Sequence, residues 1–127
     1  MKKILVVEDD PDINKALSIR LRAAGYEVCN AEDSLQGLAT AVRERPDLMV
    51  LDISMPAGDG FSIVERARNH TDLPRIPVIF ITASKKPELR KMAIDLGAVA
   101  FFEKPYESGE LVKVVSETLS SGFRLTL

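Results

Sequence analysis

Two short runs of consecutive apolar residues, Ile4-Leu5-Val6-Val7 and Leu48-Met49-Val50-Leu51, set the strongest limit on how this chain folds. Runs this short and rich in β-branched residues fit strands buried on both faces, as in a parallel sheet. Both close on acid. Glu8 and Asp9 follow the first run, and Asp52 follows the second. Strands of a parallel sheet end at one common edge, so these carboxylates gather there. At about 4 Å and an effective dielectric near 20, each like-charged pair costs on the order of 4 kcal/mol. A hard divalent cation with oxygen ligands is the simplest way to offset that repulsion.

Strand-like runs recur near 3–7, 26–30, 48–52, 77–82 and 98–102, with helix-period stretches between them. Ile13, Leu17, Leu21 and Ala24 mark the first helix, with Asp10 as its N-cap, Pro11 at its first position and Gly25 as its stop. Leu35, Leu38 and Val42 mark a second, ended by Pro46. Phe61, Val64 and Ala67 mark a third, capped by Asp59. Leu89, Met92 and Leu96 mark a fourth, opened by Pro87 and closed by Gly97. Leu111, Val114, Val115 and Leu119 mark a fifth, capped by Ser108. Such alternation predicts an α/β fold: a doubly wound, five-stranded parallel sheet with five helices on its two faces. Crossovers are right-handed, and ligands sit beyond the carboxyl ends of the strands at the topological switch point. In the flavodoxin-like order 2-1-3-4-5, the first and third strands flank that crevice.

A length of 127 residues suits one domain, and 46% hydrophobic residues supply a full core. No stretch approaches the roughly 18 apolar residues of a membrane helix. Met1-Lys2-Lys3-Ile4 runs straight into a strand, too short an apolar run for a signal peptide, so a cytoplasmic location and no membrane partner are expected. The net charge of −2 argues against a nucleic-acid-binding module. Cys29 has no second cysteine to pair with and reads as a small packed residue.

Asp52 is followed by Ile53-Ser54-Met55-Pro56-Ala57-Gly58-Asp59-Gly60, a turn-rich loop that leaves its carboxylate at a strand tip. Thr82-Ala83 places a hydroxyl after the fourth strand, and Lys104-Pro105 an ammonium after the fifth. Phosphoryl transfer needs such a set. Asp52 can attack phosphorus, Asp9 and Asp52 can hold Mg²⁺, and Thr82 and Lys104 can bind the remaining oxygens.

These motifs resemble the receiver domain of response regulators, of the CheY-like superfamily of two-component signalling, over residues 1–121. The matching segments are Ile4-Leu5-Val6-Val7-Glu8-Asp9-Asp10, Pro46-Asp47-Leu48-Met49-Val50-Leu51-Asp52 with Met55-Pro56 and Gly60, Pro77-Val78-Ile79-Phe80-Ile81-Thr82-Ala83, Gly97-Ala98 and Lys104-Pro105. Each is common alone; their joint order and spacing are specific. The resemblance implies Asp52 as phosphoacceptor, and a metal site of Asp9, Asp52, Glu8 through water and the Ser54 carbonyl. Mg²⁺ would be the ion, with Mn²⁺ able to replace it. It implies Thr82 as switch hydroxyl, Lys104 as phosphoryl-binding lysine, a cis Lys104–Pro105 bond and Phe101 as switch aromatic. Many members carry tyrosine there, and phenylalanine has no hydroxyl for an outside hydrogen bond. Ser54 and Ser84 fall where dephosphorylation is tuned. Residues 122–127 read as a tail or linker stub.

The function expected is a phosphorylatable switch rather than a conventional enzyme, with self-phosphorylation and self-dephosphorylation as its only chemistry. It would be served by a sensor histidine kinase or phosphotransfer protein. Output would pass to a separate protein, an effector domain or a second copy through the fourth helix, fifth strand and fifth helix. Two alternatives compete. A haloacid-dehalogenase-type phosphohydrolase also uses an aspartate nucleophile, but wants a second acid where this chain has Ser54. A receiver fold that binds without phosphorylation would not need the acid, threonine and lysine set. His70 reads as a surface histidine, and Lys85, Lys86, Arg90 and Lys91 as a solvated or docking face.

Overall fold

The computed structural model describes residues 1–54 and 60–120. Among them, strands and helices alternate: β1 (Lys3–Val7), α1 (Pro11–Ala23), β2 (Glu27–Ala31), α2 (Ser34–Glu44), β3 (Leu48–Asp52), α3 (Gly60–Arg68), β4 (Val78–Thr82), α4 (Pro87–Asp95), β5 (Ala100–Glu103) and α5 (Ser108–Ser120). All paired strands are parallel, in the order β2-β1-β3-β4-β5.

Alternate residues of the central strands feed two cores, as the period of two requires. Leu5, Val7, Met49, Leu51, Val78 and Phe80 pack with Ala41, Phe61, Ile63, Val64 and Ala93 from α2, α3 and α4. Ile4, Val6, Leu48, Val50, Ile79 and Ile81 pack with Leu17 and Leu21 of α1 and Leu111 and Val115 of α5. Both faces of β1, β3 and β4 are therefore dry, which accounts for their unbroken apolar runs.

Helix ends follow local chemistry. The Asp10 carboxylate accepts from the N–H groups of Asp12 and Ile13 at 2.9 and 3.3 Å, capping α1. Gly25, at φ 99°, closes it while the Tyr26 N–H donates to Leu21 O, so β2 starts at Glu27 and not at 26. Gly97, at φ 74°, closes α4 in the same way, with the Ala98 N–H donating to Ala93 O. That bond assigns Ala98 to the helix end, and β5 runs over 100–103 rather than 98–102. Ser108 is the first residue of α5 rather than its cap; the Glu107 carboxylate accepts from the Glu110 N–H at 2.8 Å. Asp59, the expected cap of α3, lies outside the described residues.

One close approach fixes the site's floor. A Cβ on Gly60 would stand 2.8 Å from the carbonyl oxygen of Asp52, so α3 can begin this near the end of β3 only with glycine there. Gly60→Ala is expected to lower stability by about 1–3 kcal/mol, because backbone must shift to relieve the overlap. Urea unfolding checks it, and a parental midpoint would contradict the packing.

Candidate functional site

The sheet order puts the ends of β1 and β3 side by side, with β4 next and β5 beyond. Carboxylate oxygens of Glu8, Asp9 and Asp52 all lie within 4.8 Å of one another. Glu8 and Asp52 are buried and Asp9 is exposed. Lys104 reaches back from the end of β5. Its ammonium lies 2.6 Å from Glu8 Oε1 and 3.3 Å from Asp52 Oδ2. The other Glu8 oxygen accepts from the Asp10 N–H at 3.2 Å. The Ser54 N–H donates to Asp52 Oδ1 at 3.0 Å. The Lys104–Pro105 bond is cis.

Burial pushes the Glu8 carboxyl above its ordinary value, and a hydrogen bond with Asp52 adds to that rise. Ion pairing with Lys104 pulls the other way but is outweighed. At Lys104 burial pushes the ammonium down, yet the bond to Glu8 and the charges of Asp52 and Glu8 hold it above its ordinary value. Removing one partner of a buried pair leaves an uncompensated charge, at a cost of about 3–5 kcal/mol. Lys104 thus restrains part of the repulsion among the acids, and Asp9 stays outside that pairing.

The donor set fits a small hard cation. Oxygens bound to one Mg²⁺ stand at most about 4.2 Å apart, a modest closing of the observed cluster. Asp9 is exposed, and each Asp52 oxygen, though bonded to the Ser54 N–H or the Lys104 ammonium, keeps a lone pair that can face such an ion. Glu8 is engaged at both oxygens too and holds the shorter bond to Lys104, 2.6 Å against 3.3 Å, which suits a water-bridged role better than a direct one.

Thr82 is buried at the end of β4, and its Oγ1 accepts from the Ser84 N–H at 3.0 Å. Phe101 pairs in register with Phe80 and packs against the core beneath α4. The Arg90 guanidinium of α4 lies over its ring, 4.8 Å from the centroid. Such an exposed cation–π contact is worth about 0.5–1 kcal/mol. Of the nine residues of α4 only Ala93 is buried, and all of β5 is half-buried.

Some features had no local sequence signal. The Arg90–Phe101 stack and the Glu8–Lys104 pair join residues on separate elements. Arg90, Lys86 and Lys91 are exposed, and Lys85 lies 3.7 Å from Glu103. His70 is half-buried and its Nδ1 accepts from the Asp72 N–H, a turn-forming role. Cys29 is half-buried, and burial pushes its thiol up, as for a packed residue. Met55 and Pro56 of the motif lie outside the described residues.

Residues 4–116 match the family profile of the response regulator receiver domain. The chain belongs to that family, the receiving module of response regulators in two-component signalling. It is similar to the DNA-binding dual master transcriptional regulator RpaA of Synechocystis, 37% identical over 94% of this chain and 49% of that protein. The transcriptional regulatory protein PrrA of Mycobacterium tuberculosis is likewise 37% identical, over 92% of this chain and 49% of its own length. The chain therefore spans about half the length of these curated relatives. Among solved structures, a CheY-like receiver domain protein from Methanospirillum hungatei superposes with a TM-score of 0.87 at 30% identity, covering 95% of both chains. Chemotaxis protein CheY4 of Vibrio cholerae gives 0.83 at 32% identity, over 92% of this chain and 98% of that one. Among the described residues, no helix is long and apolar enough to cross a membrane.

The raised Glu8 value has a consequence for stability. The folded protein keeps this proton where the unfolded chain has lost it, so the group's contribution is full below its ordinary value. It is lost as pH rises through the raised one. In EDTA, Glu8's contribution should fall as pH rises above the ordinary carboxylate range, and Glu8→Gln should flatten that fall. Urea titrations across the range check it; an unchanged slope in the variant contradicts the assignment.

Proposed function

We propose that Asp52 accepts a phosphoryl group from a sensor histidine kinase or phosphotransfer protein. The observation that carries this reading is the Lys104 ammonium seated between Glu8 and Asp52 at the mouth of the sheet. An Asp52 carboxylate oxygen attacks phosphorus as the donor's phosphorus–nitrogen bond breaks, its electron pair returning to the donor imidazole. Glu8, Asp9, Asp52 and the Ser54 carbonyl form the site for Mg²⁺, or Mn²⁺ in its place. The bound ion supplies neutralisation of charge on the phosphoryl oxygens. Lys104 binds one of those oxygens and Thr82 another. Ser54 and Ser84, two residues beyond Asp52 and Thr82, flank the path of the water that later removes the group.

The added charge at Asp52 then draws on the Thr82 hydroxyl, and Phe101 fills the space vacated behind β4. Weak burial of α4 and β5 supports these as the elements that respond. Because Phe101 lacks a hydroxyl, its ring is held by packing and by Arg90 rather than by a hydrogen bond. The face of α4, β5 and α5 passes the signal on, to an effector domain, a separate protein or a second copy. Named regulators such as RpaA and PrrA favour the effector domain. In this reading residues 1–121 form the receiver and 122–127 a tail or linker stub.

Incubation with acetyl phosphate and Mg²⁺ should add one phosphoryl group by intact mass, with none on Asp52→Asn and none in excess EDTA. Label on Asp52→Asn overturns the assignment. A bulky or charged residue at Ser54 or Ser84 should change the lifetime of that label, and parental decay in several such variants contradicts their role.

A further inference from the structure

We infer that Asn14 is a positioning residue for the acidic site, its side-chain amide fixing the Glu8 carbonyl, and so the Asp9 backbone, against the end of β2. The inference rests on the proposed cation site of Asp9 and Asp52. Asn14 sits on the buried face of α1, where helical spacing would favour an apolar residue. Its Nδ2 donates to the carbonyls of Glu8 and Ala31 at 3.0 and 3.1 Å. Ala31 O also accepts from the Glu8 N–H at 3.1 Å. The Asn14 backbone N–H donates to Asp10 O at 2.9 Å. Glu8 is thus held at both its amide and its carbonyl, and Asp10 at its carbonyl. Asp9 lies between these anchors.

The amide itself is held in one orientation. Asn14 Oδ1 accepts from Asn30 Nδ2 at 2.5 Å, and that nitrogen also donates to Ser18 Oγ at 2.6 Å. Ser18 Oγ in turn donates to Asn14 O at 2.7 Å. Every polar hydrogen on these three side chains has an acceptor. Carbonyl oxygens cannot donate, so turning the Asn14 amide over would set its oxygen against those of Glu8 and Ala31. The acidic residues cannot supply this rigidity themselves, since their mutual repulsion drives the loop apart. A network that orients a ligand without touching the ion typically changes metal affinity by about 10–100-fold when broken.

The test is Mg²⁺ titration by calorimetry together with thermal unfolding, on the parent, Asn14→Leu, Asn30→Ala and Leu21→Ala. Asn14→Leu fills the volume but strips the Glu8 carbonyl of its partner. Its Mg²⁺ Kd should rise about tenfold, while the rate of phosphorylation by acetyl phosphate recovers at saturating Mg²⁺. Asn30→Ala changes an exposed residue and leaves the core intact, and it should raise Kd by less in the same direction. Leu21→Ala cuts the core on the same helix; it should lower Tm and leave Kd at the parental value. Parental Kd in Asn14→Leu overturns the inference, as does equal weakening in Leu21→Ala. Should Asn14→Leu fail to fold, parental Kd in Asn30→Ala overturns it. A parent that binds no Mg²⁺ overturns the cation site itself, a separate outcome.

Discussion

The Lys104 ammonium lies 2.6 Å from Glu8 and 3.3 Å from Asp52, a side-chain tie between the ends of β1, β3 and β5 that adds to the backbone pairing of the sheet. Like charges held at this spacing would otherwise push the β1 and β3 loops apart. Desolvating an ammonium and two carboxylates costs several kcal/mol per ion, so the pairing is poor evidence for stability. Its value is positional. It leaves Asp9 exposed and unpaired with Lys104, and Asp52 with one oxygen turned to the Ser54 N–H. The result is a pocket with negative charge to spare on one side and a cation on the other.

The fold makes that arrangement nearly unavoidable once the strands are ordered. Adjacency of β1 and β3 brings Glu8 and Asp9 to Asp52, and β4 sets Thr82 beside them. Tight contacts then fix the details. Gly60 admits α3 against the Asp52 carbonyl, and Asn14 holds the β1–α1 loop to β2. The β4–β5 half is looser. There α4 buries a single residue and Phe101 is held by Arg90 from the surface. Stiff acids beside a loosely seated helix are what a module needs if local charge is to move a distant surface.

Much of this was legible in the residues because the signals are local. Apolar runs in β1, β3 and β4 are buried on both faces, so periodicity and burial agree. Asp10, Gly25 and Gly97 act where their backbone chemistry places them. The site acids were legible because each closes an apolar run, Asp52 as the last residue of β3 and Glu8 and Asp9 just past β1. Ser108 misled because serine is a strong cap by type, whereas the Glu107 carboxylate reaches the Glu110 N–H and takes that role. The start of β5 moved because the α4 closing bond claims Ala98. Asn14 went unread because a polar residue inside a helical pattern looks like a surface position. Its partners Asn30 and Ala31 lie on another element, and no local rule connects them. The same holds for Lys104 and Glu8, whose pairing depends on the whole sheet.

The central claim is that Glu8, Asp9 and Asp52 form a cation site whose repulsion is relieved by a divalent ion. Unfolding free energy measured against Mg²⁺ concentration tests it most directly. An ion that binds only the folded state raises stability by RT ln(1 + [Mg²⁺]/Kd), about 2.7 kcal/mol at a hundredfold excess over Kd. The account predicts that rise in the parent and its loss in Asp9→Asn. Stability indifferent to Mg²⁺, or an equal rise in Asp9→Asn, would contradict it.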